Sequence, residues 1–270
     1  MNDKIQETRI KFGCTDCGKR AAPSRIPVSR VIDKLDACFA ADDMDGAGKL
    51  LEYWEHEAVS LGDMSGELSV VNELLGYYRK VGNAERGLRA VSRSLELLQL
   101  LHQEKETAGA TVMLNAATTM KAFGKSPEAL PLYETVGEVY RKNLPENDSR
   151  FAGFYNNKAL ALVDTARYAE AEDCYRRALA VLATADTVQP DSAVTYVNMA
   201  HLYEVWLPDA EQAVNKCLEQ AEDVLNHPEI KRDSYYAFVC NKCAPSYDYF
   251  GFFMIAKDLR ERAKRIYEGT

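Results

Sequence analysis

The chain has 270 residues, of which 47% are hydrophobic and 27% are charged, so it carries enough apolar mass to fold around a core. Its 41 Asp and Glu residues outnumber 33 Lys and Arg residues and give a formal net charge of -8. An acidic chain has no general attraction to phosphate backbones or anionic lipid. The composition therefore argues against nucleic acid and membrane surfaces as main partners.

The sequence also bears on location. Its first residues, MNDKIQETR, are charged and lack the apolar region of a secretory signal. No stretch approaches the roughly 18 continuous apolar residues of a membrane span. The 7 cysteines are an odd number in a chain long enough to build a core without disulfides. These features predict reduced thiols and a cytoplasmic protein.

Residues 1–27 are predicted to be an N-terminal tail or cap, and residues 28–270 a single domain. Pro23 and Pro27 punctuate the first segment, which contains the pair Cys14 and Cys17. A C-x-x-C pair supplies half of a four-thiolate zinc site, but the other half is missing nearby. Two alternatives stay open, a free thiol pair or a zinc site shared between two chains, and we expect no bound metal.

A small residue recurs in the rest of the chain, followed by an apolar or aromatic residue four places on. The clearest copy is Ala171, Tyr175 and Ala178, which form one stripe of a helix. Small residues in this stripe let two helices approach closely. The same slot is predicted at Gly87, Ala129, Ala171 and Ala213, at intervals of 42, with looser copies at Ala47 and Ala256.

A turn precedes each of these slots. Glycine stands five residues before the slot at Gly82, Gly124 and Gly251, where a left-handed C-cap would end the preceding helix. Ala166 replaces this glycine in the fourth repeat. Pro245 falls inside the last predicted first helix, which it is expected to kink or break because proline lacks a backbone donor.

These helix pairs resemble the tetratricopeptide repeat (TPR). The spacing near 42 is similar to that of the kinesin light chain type and of bacterial peptide-pheromone receptors, and the stretches YNNKALAL at 155–162 and VNMAHLY at 197–203 read like the first helix of the kinesin light chain repeat. The resemblance implies an all-α fold, a right-handed α-solenoid of about six TPR-like helix pairs, whose first helices line a concave groove.

The resemblance also implies which residues face the groove. Asn115, Asn157 and Asn198 share one place in successive first helices; Asn72 and Asn241 stand one place earlier, and Asn156 lies beside Asn157. A side-chain amide can both donate to and accept from a peptide backbone. These asparagines are therefore candidate partner-binding residues. The alternative is a scaffold role, in which each amide bonds to a neighbouring repeat.

Further groove candidates carry charge. Arg79, Lys80 and Lys121 belong to adjacent repeats and could bind a carboxylate, although ordinary solvated helix ends are the favoured explanation. His201 shares a helical face with Glu204 on the predicted groove. The Lys and Asn residues of the two-carboxylate clamp found in chaperone-binding relatives are missing, so a chaperone tail is not expected as the ligand.

The second C-x-x-C pair, Cys240 and Cys243, falls at core places of the last first helix. Core packing is favoured there over metal binding, because cysteine is readily buried as a small hydrophobe. We expect no cofactor.

The sequence contains no phosphate-binding loop, nucleophile elbow or metalloprotease spacing, and its 4 histidines are scattered over different repeats. The predicted function is non-catalytic: a scaffold or adaptor that binds a protein or peptide segment in the groove, with a homodimer left open. The alternative is a peptide-sensing regulator that resembles the pheromone receptors but lacks a DNA-binding domain.

Overall fold

The computed structural model describes residues 25–269, which form twelve α-helices and no strand. The helices are α1 (Val28–Ala40), α2 (Met44–Leu61), α3 (Met64–Val81), α4 (Ala84–Leu100), α5 (Thr107–Ala122), α6 (Ser126–Asn143), α7 (Arg150–Asp164), α8 (Tyr168–Leu182), α9 (Asp191–Trp206), α10 (Glu211–Asn226), α11 (Ser234–Tyr249) and α12 (Phe253–Glu268).

The helices pack as six consecutive pairs, each an odd-numbered helix A followed by an even-numbered helix B. Successive helices A contact one another all along the array. Among the described residues no helix B packs to a comparable extent on the next helix B. Because one layer is closer packed than the other, the array curves toward helices A, and these line its inner side.

Local sequence signals fix where helices α2, α3 and α4 begin. Asp43, Asp63 and Asn83 are N-caps whose side chains accept a hydrogen bond from the backbone N–H three residues on. Asp63 also accepts from the backbone N–H of Ile26 at 3.0 Å. This bond and the burial of Ile26 attach the segment before α1 to the core.

The predicted turn glycines are confirmed. Gly82, Gly124 and Gly251 adopt positive φ angles of 70°, 74° and 85°, a region that favours glycine because it has no Cβ. Ala166 stands in the same position of the fourth repeat with φ of 57°. A left-handed alanine carries strain there, which the surrounding helix pair holds in place.

The small slot is the fourth residue after each helix-B N-cap, and its N–H donates to the N-cap carbonyl. Its occupants are all buried: Ala47, Gly87, Ala129, Ala171, Val214 and Ala256. The prediction of Ala213 was wrong by one residue. Val214 donates to Ala210 and is 6% exposed, whereas Ala213 is only half-buried. The longer turn after α9 shifts the register of α10 by one residue.

Of the two outcomes predicted for Pro245, a kink or a break in the helix, the break does not occur. The helix runs from Ser234 to Tyr249 through Pro245, whose ring is exposed. Buried residues on both sides of it, Cys243 and Tyr247 among them, pack α11 against its neighbours. This packing outweighs the loss of one backbone hydrogen bond. None of the twelve helices is long and apolar enough to cross a membrane.

Candidate functional site

The inner surface of helices A, here called the groove, contains a cavity of about 430 Å³ between α7, α9 and α11. It is lined by Ser149, Ala152, Gly153, Asn156, Asn157, Leu182, Gln189, Asp191, Val194, Thr195, Tyr235 and Lys242. Residues of α7 and α11 share this cavity although α9 stands between them. The cavity is therefore a concave feature that spans three successive helices A.

Two amides of α7, Asn156 and Asn157, form one side of the cavity. The side-chain N–H of Asn198 donates to the Oδ1 of Asn156 at 3.1 Å, and the side-chain N–H of Asn157 donates to the Gly153 carbonyl at 2.9 Å. These bonds hold each side chain in one orientation. The Oδ1 of Asn157 accepts no hydrogen bond from any residue in 25–269, so this acceptor remains available to a ligand.

Gly153 leaves the α7 side of the cavity open. A Cβ built on this residue would meet no atom within 4 Å. Gly153 lies inside α7, where glycine is less favourable than alanine by roughly 1 kcal/mol. A Cβ added at this position would therefore point into open space beside the cavity.

The Tyr235 ring and its neighbours on α11 form the opposite side. The hydroxyl of Tyr235 donates to the Oδ1 of Asp191 at 2.7 Å, and its ring stacks on that of Phe238 with centroids 6.0 Å apart. Burial and this carboxylate raise the pKa of Tyr235. The Nζ of Lys242 lies 5.9 Å from the Phe238 ring, and no carboxylate among the described residues lies within 4.0 Å of it. This wall therefore offers two half-exposed rings and an available cation.

The other predicted asparagines behave differently. Asn115 donates to the Oδ1 of Asn72 at 2.9 Å, so the amides form two separate inter-repeat pairs and not one ladder. The helices A of each pair are tied by this bond. Asn241 is exposed on α11 and does not line the cavity.

The three basic candidates do not form one free patch. Lys121 lies 3.7 Å from Asp164, and the Nζ of Lys80 lies over the ring of Phe39 at 4.9 Å. Arg79 is half-buried near the hydroxyl of Tyr133, and burial lowers its pKa. Of the three, Arg79 alone has no charged or aromatic partner in the described range.

His201 joins a polar cluster between α9 and α11. Its Nε2 lies 2.9 Å from the Oγ of Ser246, and its Nδ1 lies 3.8 Å from the Oε2 of Glu204. The Tyr249 hydroxyl donates to the Oε1 of Glu204 at 2.8 Å. Burial lowers the pKa of His201. Ser246 lies inside α11, so its backbone N–H is bonded within the helix. It is therefore not available to stabilise the negatively charged oxygen of a reaction intermediate, as a catalytic serine site would require.

The cysteines of α11 are buried, as the core-packing prediction requires. Burial raises the pKa of the Cys243 thiol to about 12, so it is a poor nucleophile and metal ligand at neutral pH. Within the described residues no group of three His, Cys, Asp or Glu side chains could hold a metal ion. Cys14 and Cys17 lie outside those residues.

The site thus includes residues that the sequence did not single out, chiefly Tyr235, Asp191 and Gln189. Their distance in sequence hides them: Tyr235 and Asp191 are 44 residues apart and meet only because α9 and α11 stack. A groove-facing glycine in the first turn of a helix, Gly153, was the signal that could have located the cavity.

The sequence matches no protein-family model and no curated protein. Solved structures are similar in fold. The nearly identical TPR-like repeats of a Podosopora anserina protein named for kinesin light chain align with a TM-score of 0.52 and 18% identity over 74% of this chain and 94% of that one. A single-residue variant of those repeats gives 0.53 and 17% over 74% and 93%.

The fold is a TPR-like α-solenoid. This confirms the all-α arrangement of about six helix pairs expected from the repeat. BtubC (BKLC) from P. vanneervenii aligns over 90% of this chain and 92% of its own with 20% identity and a TM-score of 0.49.

Proposed function

We propose that this TPR-like solenoid is a non-catalytic binding module, a cytoplasmic scaffold or adaptor that holds a peptide or an extended segment of a partner protein in its groove. The cavity between α7, α9 and α11 is the centre of this site. Of the predicted binding residues, Asn156 and Asn157 line it, and Asn198 supports it by its hydrogen bond to Asn156. Asn72, Arg79 and Asn115 extend it toward the N-terminal repeats.

The chemistry of the cavity carries the proposal. It combines a fixed acceptor on Asn157, an available cation on Lys242 and the half-exposed ring of Tyr235, which stacks on Phe238 beside the cavity. A peptide segment offers the matching groups, which are backbone N–H donors, carboxylates and apolar side chains. The free thiols of the described cysteines support the cytoplasmic part of the proposal.

Blocking the cavity tests this function. Gly153→Trp would fill the open space that faces the cavity, whereas Gly153→Ala adds one methyl group and stabilises α7. Glu138→Trp places the same bulk on the exposed face of α6 and serves as the matched control. The parent protein, Gly153→Ala and Glu138→Trp should all capture the same partners from lysate. Gly153→Trp should not capture them.

A second measurement locates the contact. A photo-crosslinking residue at position 157 should attach to the captured partner, and the same residue at position 138 should not. Capture that survives Gly153→Trp, or crosslinking from position 138 alone, would contradict a groove site. No feature of residues 25–269 favours the alternative of a peptide-sensing regulator. The proposed function is therefore binding of a partner, without a regulatory role.

A further inference from the structure

A second cavity lies outside the groove, where α10, α11 and α12 meet. It has a volume of about 360 Å³ and is lined by Arg232, Tyr236, Arg262, Arg265 and Ile266. Three of the five lining residues are arginines and none is acidic. The chain as a whole carries a formal charge of -8, so this local concentration of positive charge runs against its composition.

One of the arginines holds the cavity together. The Nη1 of Arg262 donates to the Oδ1 of Asn226 at 2.7 Å and to the hydroxyl of Tyr236 at 3.1 Å, and its Nη2 pairs with Asp258 at 2.5 Å. Arg262 thereby links the end of α10 to α11 and α12. Its position is fixed by the fold whether or not a ligand is bound.

The other two arginines have no such role. Arg232 lies in the segment between α10 and α11, Arg265 lies in the last turn of α12, and both are exposed. No carboxylate within the described residues lies within 4.0 Å of either guanidinium. Two cations that border one cavity beside a third repel one another, and an anion bound between them would offset this repulsion.

The geometry of the arginine side chains indicates which kind of anion would bind. A guanidinium presents parallel N–H donors that match the oxygens of a phosphate group. The cavity is larger than a single phosphate group and leaves room for the group that carries it. Ile266 gives that group an apolar contact.

We propose that this cavity is a binding site for a phosphate monoester, held by Arg232 and Arg265 and oriented by Arg262. Its existence does not depend on the groove, because the two sites share no lining residue. The ester is carried either by a phosphorylated side chain of a partner or by a small phosphorylated molecule. Both sources present the same dianionic group.

Titration of the full chain tests the site. The probes are a phosphoserine peptide, the same peptide with unmodified serine, and inorganic phosphate, followed by the arginine side-chain N–H signals in NMR spectra. The phosphorylated peptide or inorganic phosphate should shift the Arg232 and Arg265 signals, and the unmodified peptide should not. Tighter binding of the peptide identifies a phosphoprotein segment, and equal binding identifies a small phosphate ligand.

Variants keep the test specific. Arg232→Gln and Arg265→Gln should each weaken binding by about tenfold, the loss expected for one charge-assisted hydrogen bond. Arg176→Gln, an exposed arginine of α8 that pairs with Glu172, should leave the affinity unchanged. Since Arg232 and Arg265 are exposed, the melting temperature should stay the same. The site would be refuted by unaltered affinity in both variants, or by no shift with any phosphate probe.

Discussion

The side chain of Asn198 on α9 donates a hydrogen bond to that of Asn156 on α7, across 42 residues of sequence, at 3.1 Å. The same bond joins Asn115 of α5 to Asn72 of α3 at 2.9 Å. Both pairs tie one helix A to the next. The asparagines therefore have a structural role in addition to the binding role proposed for the groove, and each pair fixes the amide that a ligand would meet.

Removal of one member should separate these roles. Asn198→Ala should destabilise the fold by about 1 kcal/mol, because it removes an inter-repeat hydrogen bond and leaves Asn156 without its donor. Asn157→Ala should change the stability by less than half of that, since Asn157 bonds only within its own helix. Urea unfolding followed by circular dichroism measures both. Equal stability of the two variants would show that the bond from Asn198 to Asn156 does not stabilise the contact between α7 and α9.

Three buried tyrosines give a matched set. The hydroxyl of Tyr175 is buried and has no hydrogen-bond partner among residues 25–269, whereas that of Tyr247 donates to the Leu218 carbonyl at 2.8 Å and that of Tyr236 to the Leu225 carbonyl at 3.0 Å. Tyr175→Phe should be neutral or stabilising by about 1 kcal/mol, and Tyr247→Phe should be destabilising by about 1 kcal/mol. Thermal unfolding of each variant provides the comparison, and a loss in Tyr175→Phe equal to that in Tyr247→Phe would contradict it.

Two helical glycines should respond to alanine with opposite signs. A Cβ at Gly87 would clash with the ring of Phe123, while one at Gly153 meets nothing within 4 Å. Gly87→Ala should cost about 1–3 kcal/mol, the range for overpacking a close contact. Gly153→Ala should stabilise by about 0.5–1 kcal/mol through helix propensity. In urea, the free energy of unfolding should be lower for Gly87→Ala and higher for Gly153→Ala than for the parent protein. An unchanged value for Gly87→Ala would show that Phe123 moves aside.

The most buried ion pair joins α3 to α4. Arg93 reaches both carboxylate oxygens of Glu67, at 2.6 and 2.9 Å, and the side chain of Glu67 is only 4% exposed. Arg93→Met leaves this carboxylate buried without a partner and should cost about 3 kcal/mol. Lys49→Met removes an exposed partner of Asp45 and should leave the stability nearly unchanged. Comparable losses in chemical denaturation would mean that water reaches Glu67.

Acid should weaken the contact between α9 and α11. Burial lowers the pKa of His201 below its usual value of about 6.5, so the unfolded chain takes up this proton more readily than the folded one. The contribution of neutral His201 is present above pH 6.5 and is lost as the pH falls below it. His201→Gln should therefore flatten the dependence of the urea midpoint between pH 7.5 and 5.5. An unchanged slope would show that another group causes the dependence.

The sequence by itself determined the repeat and its caps. Asp63 and Asn83 mark helix starts, and Gly82 and Gly124 mark the turns, because capping and left-handed backbone depend on a few adjacent residues. The buried slots followed from helical periodicity up to Ala171. The prediction failed at Val214, where the length of a turn and not a residue pattern sets the register.

Only the tertiary structure decided which side chains meet. The pairing of Asn198 with Asn156, the bond from Tyr235 to Asp191 and the convergence of Arg232 with Arg265 all join residues far apart in the chain. These contacts depend on how far each helix pair is rotated against the next. That rotation arises from the packing of whole helix faces, so no local pattern encodes it, and the two cavities exist only once the six pairs have stacked.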